Sequence, residues 1–232
     1  MGVPFVAVNA GLFRPMLNEL LKWGAKRPDE PVPVGMGPSA TRADEPVIPS
    51  KAFPKFLSIL SQQPAPVLLD FGPVIGGNVE FFGDRLGCKL FIEDIFKDVD
   101  RHRRAGTLED LANGFETRFR HADGTIDGIL CWDCFDFLDK ASVQALAKQI
   151  VRLVRPGGVV MGLFCTSSVE RASYTKYEIV DEKNLRYRQH TGAGGNRRAV
   201  QNRDIIRMFE GLSVSDSFLL KNNTREMLLR RP

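Results

Sequence analysis

The sequence predicts an α/β protein: a mostly parallel sheet with helices on both faces and an antiparallel hairpin at its C-terminal end. Two observations carry this prediction. Predominantly apolar runs, such as residues 67–71 and 126–132, alternate with segments whose apolar residues recur at helical spacing. Strands of that kind, separated by helices, are typical of parallel sheets covered on both sides. The last two strand-like runs are joined by KNNT at residues 221–224, which indicates an edge hairpin.

The chain divides into an arm and a domain. Residues 1–50 form a predicted N-terminal arm and Pro-rich linker, with a short helix at 11–27 followed by a stretch rich in Pro and Gly. Residues 51–232 form the predicted domain, which 232 residues in all are enough to build. Within it, residues 166–200 read as an excursion with one strand at 177–180.

Each remaining element has its own signal. The helices are predicted after Ser50 as N-cap up to Pro64, over 78–86 closed by Gly87, over 107–119 with Thr107 as N-cap, over 140–154, and over 202–211 with Asn202 as N-cap. The strands are predicted at 67–71, 88–93, 126–132 and 159–165, with RPGG at 155–158 ending the preceding helix, and in the terminal hairpin.

Charge and composition limit the partners and the location. No apolar run reaches the roughly 18 residues that a membrane span needs. The N-terminus lacks a positively charged region before its apolar start, so a cytoplasmic protein without a membrane partner is expected. Residues 171–232 carry 13 basic and 7 acidic groups, against 19 and 21 in residues 1–170. An anionic partner would therefore bind the C-terminal quarter. The basic residues there either bind nucleic acid or simply face solvent.

The cysteines and histidines predict no metal site and no disulfide framework. Cys131 and Cys134 form one C-x-x-C, but no second ligand pair and no histidine lies at a supporting spacing. Buried thiols at a strand end explain the pair equally well.

The stretch VLLDFGPVIGGNVEFF at residues 67–82 reads as a strand, a glycine-rich turn and a helix start. The glycines Gly72, Gly76 and Gly77 do not fit the dinucleotide fingerprint, and no Walker lysine follows. Asp70 ends the strand two residues before the first glycine. A carboxylate there would repel a pyrophosphate and suits a ligand with a cationic group.

Several motifs together resemble class I S-adenosylmethionine-dependent methyltransferases, which have a Rossmann-like fold. LLDFGPVIGG resembles the family's first motif, and FIED ends a second strand in acids. IDGILCWDCFDFLD is similar to the family's fourth strand and its turn, and ALAKQIVRLVRPGGVVMGLF to its late helix, Pro-Gly-Gly turn and fifth strand. The terminal hairpin resembles its antiparallel last strands. The match covers roughly residues 65–165 and 202–231.

The resemblance implies roles for individual residues. Asp70 would face the ammonium of S-adenosylmethionine, and the glycine loop would let the backbone approach its methionine part and sugar. Either Glu93 or Asp94 would accept bonds from the ribose hydroxyls, and Asp133 is the candidate general base. The expected cofactor-binding residues are Asp70, Gly72, Pro73, Gly76, Gly77, Glu93, Asp94 and Trp132.

The sequence departs from the family pattern in two places. Val74 occupies the place of the usual middle glycine, and a β-branched residue disfavours positive φ and takes up space near a ligand. The third strand with its adenine-contacting acid is not identifiable, with Glu109 or Asp110 as candidates.

Structural roles compete with the functional ones: Asp70 as a turn cap, Trp132 as core, Asp133 and Asp136 as a helix start, and Tyr174, Tyr177, Tyr187, Arg186 and Arg188 as strand residues rather than a pocket lining.

The implied activity is methyl transfer from S-adenosylmethionine to an undetermined acceptor, with a small molecule favoured. Alignment of donor and nucleophile supplies much of the rate of such a transfer, so no metal or nucleophilic triad is expected. The alternative is a methyltransferase-like binding or regulatory module without catalysis. A third hypothesis is an RNA methyltransferase that uses the basic C-terminal quarter.

Overall fold

The computed structural model describes residues 45–232, with the side chains of residues 171 and 191–193 left out. The predicted helix at 11–27 and most of the arm lie outside these residues. The strands are β1 (Val47–Pro49), β2 (Val67–Asp70), β3 (Lys89–Ile92), β4 (Ile126–Trp132), β5 (Val154–Cys165), β6 (Val169–Ile179), β7 (Asn184–Arg197), β8 (Ser213–Leu219) and β9 (Thr224–Arg230). The α-helices are α1 (Phe53–Leu60), α2 (Gly76–Leu86), α3 (Ile95–Ala105), α4 (Leu111–Arg118), α5 (Lys140–Leu153) and α6 (Asn202–Met208).

The predicted α/β class is confirmed. The main sheet has the strand order β3-β2-β4-β5-β9-β8. Strands β2, β3, β4 and β5 pair in parallel, whereas β9 pairs antiparallel with both β5 and β8. The chain leaves β2 for β3 on one side and returns to β4 on the other. The order therefore reverses between β2 and β4, and this is the place where open α/β sheets bind ligands at the carboxyl ends of their strands.

A second sheet is formed by the excursion, which the sequence reading predicted to be irregular apart from one short strand. That prediction is wrong: β6 and β7 form a long antiparallel hairpin, and β1 pairs with β7 to make a three-stranded sheet in the order β1-β7-β6. Tyr177 and Ile179 are buried, while charged residues such as Glu178 and Arg186 pair across the two strands. Register shifts between Val169 and Ala172 and between Ser173 and Thr175 interrupt the alternation that would mark β6 as a strand, and the run of small and polar residues at 189–196 carries no strand pattern for β7.

The core consists of two layers, one on each face of the main sheet. On one face, α3, α4, α5 and α6 pack on the sheet through residues such as Phe115 and Leu146. On the other face, α1 and α2 pack on it together with the second sheet, with Phe56 and Phe82 among the buried residues. The second sheet thus occupies a position beside two helices, and its buried residues include Tyr177.

The predicted N-cap Ser50 accepts a hydrogen bond from the Phe53 amide at 3.0 Å, but α1 begins at Phe53 and its N-cap is Ala52. The predicted helix end at Gly87 is confirmed, because this residue closes α2 with a left-handed φ of 57°. A carboxylate from the far end of the chain adds to the bond made by Ser50: Glu226 on β9 accepts from the amides of Lys51 and Ala52 at 2.7 and 2.9 Å. The buried acid therefore satisfies amides at the start of α1.

Other boundaries differ from the predictions. The charged stretch after β3 is helix α3, because Ile95, Phe96 and Val99 give it a buried face. Thr107 makes no side-chain cap, and a 3₁₀ turn at Leu108–Asp110 precedes α4. Asn202 is the first residue of α6 rather than its N-cap. Strand β5 begins at Val154 and includes the predicted break, with Gly157 at φ 72°.

The unidentified third strand has no counterpart in residues 45–232, since the segment between β3 and β4 is helical and irregular. The two acids suggested as adenine contacts, Glu109 and Asp110, are exposed in the 3₁₀ turn.

Candidate functional site

The candidate site lies at the carboxyl ends of β2 and β4, where the strand order reverses. Asp70 is the last residue of β2 and pairs in register with Leu130 of β4, two residues before Trp132. The loop after β2 carries the glycines, and the turn after β4 carries Asp133. The sequence-predicted residues of these two segments are therefore brought together by the parallel pairing of their strands.

Asp70 is a desolvated carboxylate held by two donors. It is buried, and its Oδ1 accepts hydrogen bonds from the Gly72 amide at 2.8 Å and from the Trp132 indole Nε1 at 2.6 Å. Burial raises the pKa of Asp70 to about 6; the two hydrogen bonds oppose this rise, and the negative charge of Asp94 adds to it. Asp70 thus does act as a turn cap, but in a setting that disfavours its charged form.

Of the glycines in the loop, Gly72 has a steric requirement. A Cβ at this position would lie 2.8 Å from Cδ1 and Nε1 of the Trp132 indole. A Cβ at Gly76 would meet nothing within 4 Å, and one at Gly77 would only reach ordinary contact distance from a carboxylate oxygen of Glu178. Gly76 and Gly77 begin α2, so their amides rather than their small size would serve a ligand.

The expected backbone strain at Val74 does not arise. Its side chain is 69% exposed, and its φ is not positive. The loop therefore turns without needing a glycine at this position. Pro73, the neighbouring member of the predicted set, is half-buried in the same loop.

Trp132 closes the crevice. The residue is buried, with φ at 48°, a left-handed conformation that is uncommon for a bulky side chain. Its indole stacks on the Tyr177 ring with centroids 5.1 Å apart and planes 4° from parallel. Strained backbone of this kind persists only where the surroundings enforce it, and it concentrates at binding sites. Trp132 is therefore a core residue and a wall of the candidate site at once.

The two acids after β3 are engaged in local contacts. Asp94 caps α3 by accepting from the Lys97 amide at 3.0 Å, and Glu93 accepts from Arg118 Nε at 3.0 Å. Arg118 also forms an ion pair with Asp98. Both Glu93 and Asp94 are half-buried and lie at the same edge of the sheet as Asp70, because the Glu93 amide bonds the Asp70 carbonyl at 2.7 Å. The structure thus brings both candidates next to the crevice.

Asp133 belongs to a buried charge cluster. Its side chain is fully buried, with one carboxylate oxygen 3.6 Å from Arg197 Nη2. Burial raises the pKa of Asp133 to about 7; the charge of Asp136 also raises it, while Arg197 and the Tyr177 hydroxyl lower it. Asp136 is bonded more tightly, to Arg197 Nε at 2.8 Å and to the Cys165 amide at 3.0 Å. Two acids therefore share one guanidinium, with Asp133 the less closely held of the two.

The excursion supplies residues that the sequence reading assigned mainly to a strand. Tyr177 stacks on Trp132, and Tyr187 packs edge-on against Tyr177 at 4.8 Å. Arg186 and Arg188 both pair with Glu178, and Arg188 also pairs with Glu45, which lies before β1. The functional residue that sequence reasoning missed is Arg197, since a single arginine in a Gly-rich, basic segment carries no signal of a buried acidic partner.

Residues 45–232 contain neither a metal-binding cluster nor a membrane-spanning helix. In this part of the chain, no group of three or more His, Cys, Asp or Glu side chains is arranged to hold a metal ion. The four cysteines are free and buried. None of the helices described here is both long and apolar enough to cross a bilayer.

Comparisons with known proteins give structural similarity only. No family model matches the chain, and no curated protein matches it. Among solved structures, an S-adenosylmethionine-dependent methyltransferase from Clostridium acetobutylicum is 14% identical, with 83% of this chain and 94% of that chain covered and a TM-score of 0.48. The glycopeptide N-methyltransferase MtfA complexed with S-adenosyl-L-methionine is 12% identical, with 78% and 94% covered and a TM-score of 0.43.

A third similar structure is the CcbJ methyltransferase from Streptomyces caelestis, 12% identical, with 77% of this chain and 87% of that chain covered and a TM-score of 0.45. All three TM-scores lie below 0.5. The fold is therefore defined here by the strand order and pairing of this chain itself.

Proposed function

We propose that this chain binds S-adenosylmethionine in the crevice between β2 and β4 and transfers its methyl group to a small-molecule acceptor. The observation that carries the proposal is Asp70: a buried carboxylate at the point of strand-order reversal, beside a loop that must be glycine at Gly72. Burying an acid without a cation is unfavourable, and such a group in a ligand crevice is a functional-site candidate. An ammonium group of the cofactor would supply the missing charge.

The cofactor sugar would lie toward β3. Glu93 and Asp94 stand at the end of that strand, and a carboxylate there can accept two hydroxyl bonds. Both carboxylates already have a partner, so the ribose would compete with the Arg118 ion pair or with the α3 cap. Glu93 is the better candidate, because an ion pair at a partly exposed site is worth less than a helix cap. Gly76 and Gly77 would face the rest of the ligand through their amides, with Pro73 shaping the loop.

Methyl transfer from a sulfonium needs a nucleophile that is aligned and, for a hydroxyl or amine acceptor, deprotonated. Asp133 is the proposed acceptor of that proton. Its pKa, raised to about 7 chiefly by burial, suits a general base near neutral pH, and Arg197 holds it from one side. Because Asp133 is fully buried, a small acceptor is favoured over a macromolecule such as RNA.

Ligand entry would require Trp132 to move. The indole occupies the space over Gly72 and donates to Asp70, so it stands where a ligand passing close to the glycine backbone would lie. Rotation of this side chain would free Asp70 Oδ1 for the cofactor ammonium.

The first experiment is isothermal titration of the protein with S-adenosylmethionine and with S-adenosylhomocysteine. Wild type is compared with Asp70→Asn and with Asp84→Asn, a matched control in which an exposed acid on α2 is neutralised. We expect binding of both ligands by wild type and by the control, and a loss of at least about tenfold in Asp70→Asn, since an ion pair in a buried site is removed. Equal affinity in all three proteins would contradict the assigned role of Asp70.

A second candidate function is a methyltransferase-like binding or regulatory module without catalysis. The closed crevice favours it, because Trp132 is packed as tightly on Tyr177 as a core side chain. The two candidates differ in the response to Trp132→Phe, which deletes the bond to Asp70 but keeps an aromatic ring. If Trp132 moves aside to admit the cofactor, this variant should bind the cofactor more tightly than wild type. A permanently closed core predicts no titration heat at millimolar ligand for either protein, and the module would then be the better description.

A further inference from the structure

An open groove of about 810 Å³ lies between α5 and α6, away from Asp70 and Trp132. Its floor is apolar and includes Phe135 and Leu138 of the turn after β4, both buried. Val143 of α5 and Met208 of α6 continue this surface on the two walls. The volume is within the range of small-molecule sites, which typically combine an apolar lining with a few polar groups.

The rims of the groove carry an excess of cations. Lys140 and Lys148 project from α5, eight residues and hence about 12 Å apart along the helix axis. Arg198 lies in the segment before α6, and Arg207 lies on α6. All four side chains are exposed, and within residues 45–232 none of them forms an ion pair. Arg152, further along α5, does pair with a carboxylate, that of Asp123.

The charge excess is moderate. Asp204 and Glu210, both exposed, also line the groove from α6 and its end. Four cations against two acids suit one negative charge on a ligand better than a polyanion, which would meet both acids at close range. The apolar floor between the charged rims requires that the ligand also has an apolar body.

We infer that this groove binds a small amphiphilic carboxylate, whose head group lies among the cations of α5 and α6 and whose alkyl part covers the half-buried Val143 and Met208. The inference stands apart from the proposed methyl transfer, since it uses none of the residues of the β2–β4 crevice. A failure to bind S-adenosylmethionine leaves it untouched, and its own failure leaves the crevice proposal untouched.

The test is titration with decanoate below its micellar concentration, followed by calorimetry and by amide chemical shifts of isotope-labelled protein. We expect shifts confined to α5, α6 and residues 198–201, and affinity that rises from hexanoate to decanoate as more alkyl surface is buried. Decanol and decyltrimethylammonium, with the same alkyl length but no negative charge, should bind at least about fivefold more weakly.

Lys148→Glu should weaken decanoate binding about fivefold, which corresponds to reversing one partly solvated charge beside the head group. The matched control is Lys221→Glu, which makes the same change of net charge at an exposed position in the turn between β8 and β9. This control should change the affinity less than twofold.

Three results would overturn the inference. One is equal weakening by Lys148→Glu and Lys221→Glu, which would reduce the effect to net charge. Another is affinity independent of alkyl length. The third is displacement of decanoate by a short single-stranded RNA that itself binds more tightly, which would make the groove a polyanion site.

Discussion

The carboxyl ends of β2 and β3 both carry acids, but the two ends treat them differently. Asp70 at the end of β2 is buried, bonded to an amide and an indole, and has its pKa raised to about 6 chiefly by burial. Glu93 and Asp94 after β3 are half-buried and are engaged with Arg118 and with the first turn of α3. The carboxylate at the end of β2 is therefore kept from water without a cationic partner in the part of the chain that the structure describes. The carboxylates after β3 stabilise the fold through a helix cap and an ion pair.

The difference separates function from structure. A helix cap or a partly exposed ion pair accounts for an acid without any ligand. Asp70 has neither explanation, because within residues 45–232 it caps no helix and pairs with no cation, and its one amide and one indole donor offset only part of the lost hydration. The β2 end is therefore the stronger evidence for a site, and four substitutions test this contrast from the largest expected effect to the smallest.

Gly72→Ala should be the most damaging change, lowering the free energy of unfolding by about 3 kcal/mol, because the new methyl group would overlap the Trp132 indole. Urea unfolding measures this loss. The control is Gly76→Ala, where a methyl group meets nothing within 4 Å, and which should be neutral or slightly stabilising. Equal effects of the two substitutions would mean that the indole can move aside freely.

Asp70→Asn should change how stability depends on pH. The folded-state pKa of Asp70, about 6, lies above the ordinary aspartate value of 3.8, so the folded state binds the proton more tightly. The stability that proton binding contributes is fully present below pH 4 and is lost as the pH rises through 6, by about 2–3 kcal/mol in all. The variant should lack this decline and be more stable than wild type at pH 8.

Unfolding midpoints at pH 4.5 and pH 8 measure this difference between the two proteins. Asp84→Asn, at an exposed position, serves as the control and should follow the wild-type profile. If stability depends on pH in the same way in wild type and in Asp70→Asn, burial does not raise the pKa of Asp70.

Asp94→Ala should lower stability by about 1 kcal/mol, because the Lys97 amide and its neighbours at the start of α3 lose their cap. Asp94→Asn keeps an acceptor oxygen and should recover most of the loss. Thermal unfolding of the two variants distinguishes the cap from a purely electrostatic role. If both variants lose the same thermal stability, the carboxylate charge rather than the hydrogen bond stabilises this end of the sheet.

Glu93→Gln should have the smallest effect, about 0.5 kcal/mol or less, since its ion pair with Arg118 is partly exposed and Arg118 retains Asp98. The same variant should nevertheless weaken S-adenosylmethionine binding if Glu93 is the ribose acceptor. A loss of cofactor affinity without a loss of stability is the expected combination for Glu93, and the reverse combination would reassign the ribose to Asp94.

Parts of the site could be predicted from the sequence because they are local. Asp70 and Gly72 lie within three residues, and parallel pairing of β2 with β4 is enough to bring Trp132 and Asp133 to the same edge. The need for Gly72 was attributed to a ligand, however, whereas its immediate neighbour is the Trp132 indole. The long strands of the excursion were missed because register shifts along β6 and the Gly-rich run at 192–195 interrupt their apolar period.

The sequence by itself determined the α/β class, most helices and strands, and the position of the acid before the glycine loop, because these follow from apolar periodicity and turn residues within short windows. Only the tertiary structure decided the environment of each acid. Glu226 reaches the start of α1 from 174 residues away, and Arg197 reaches Asp136 from 61 residues away. Burial and such long-range partners set the charge state of a carboxylate, and neither is encoded in the spacing of neighbouring residues.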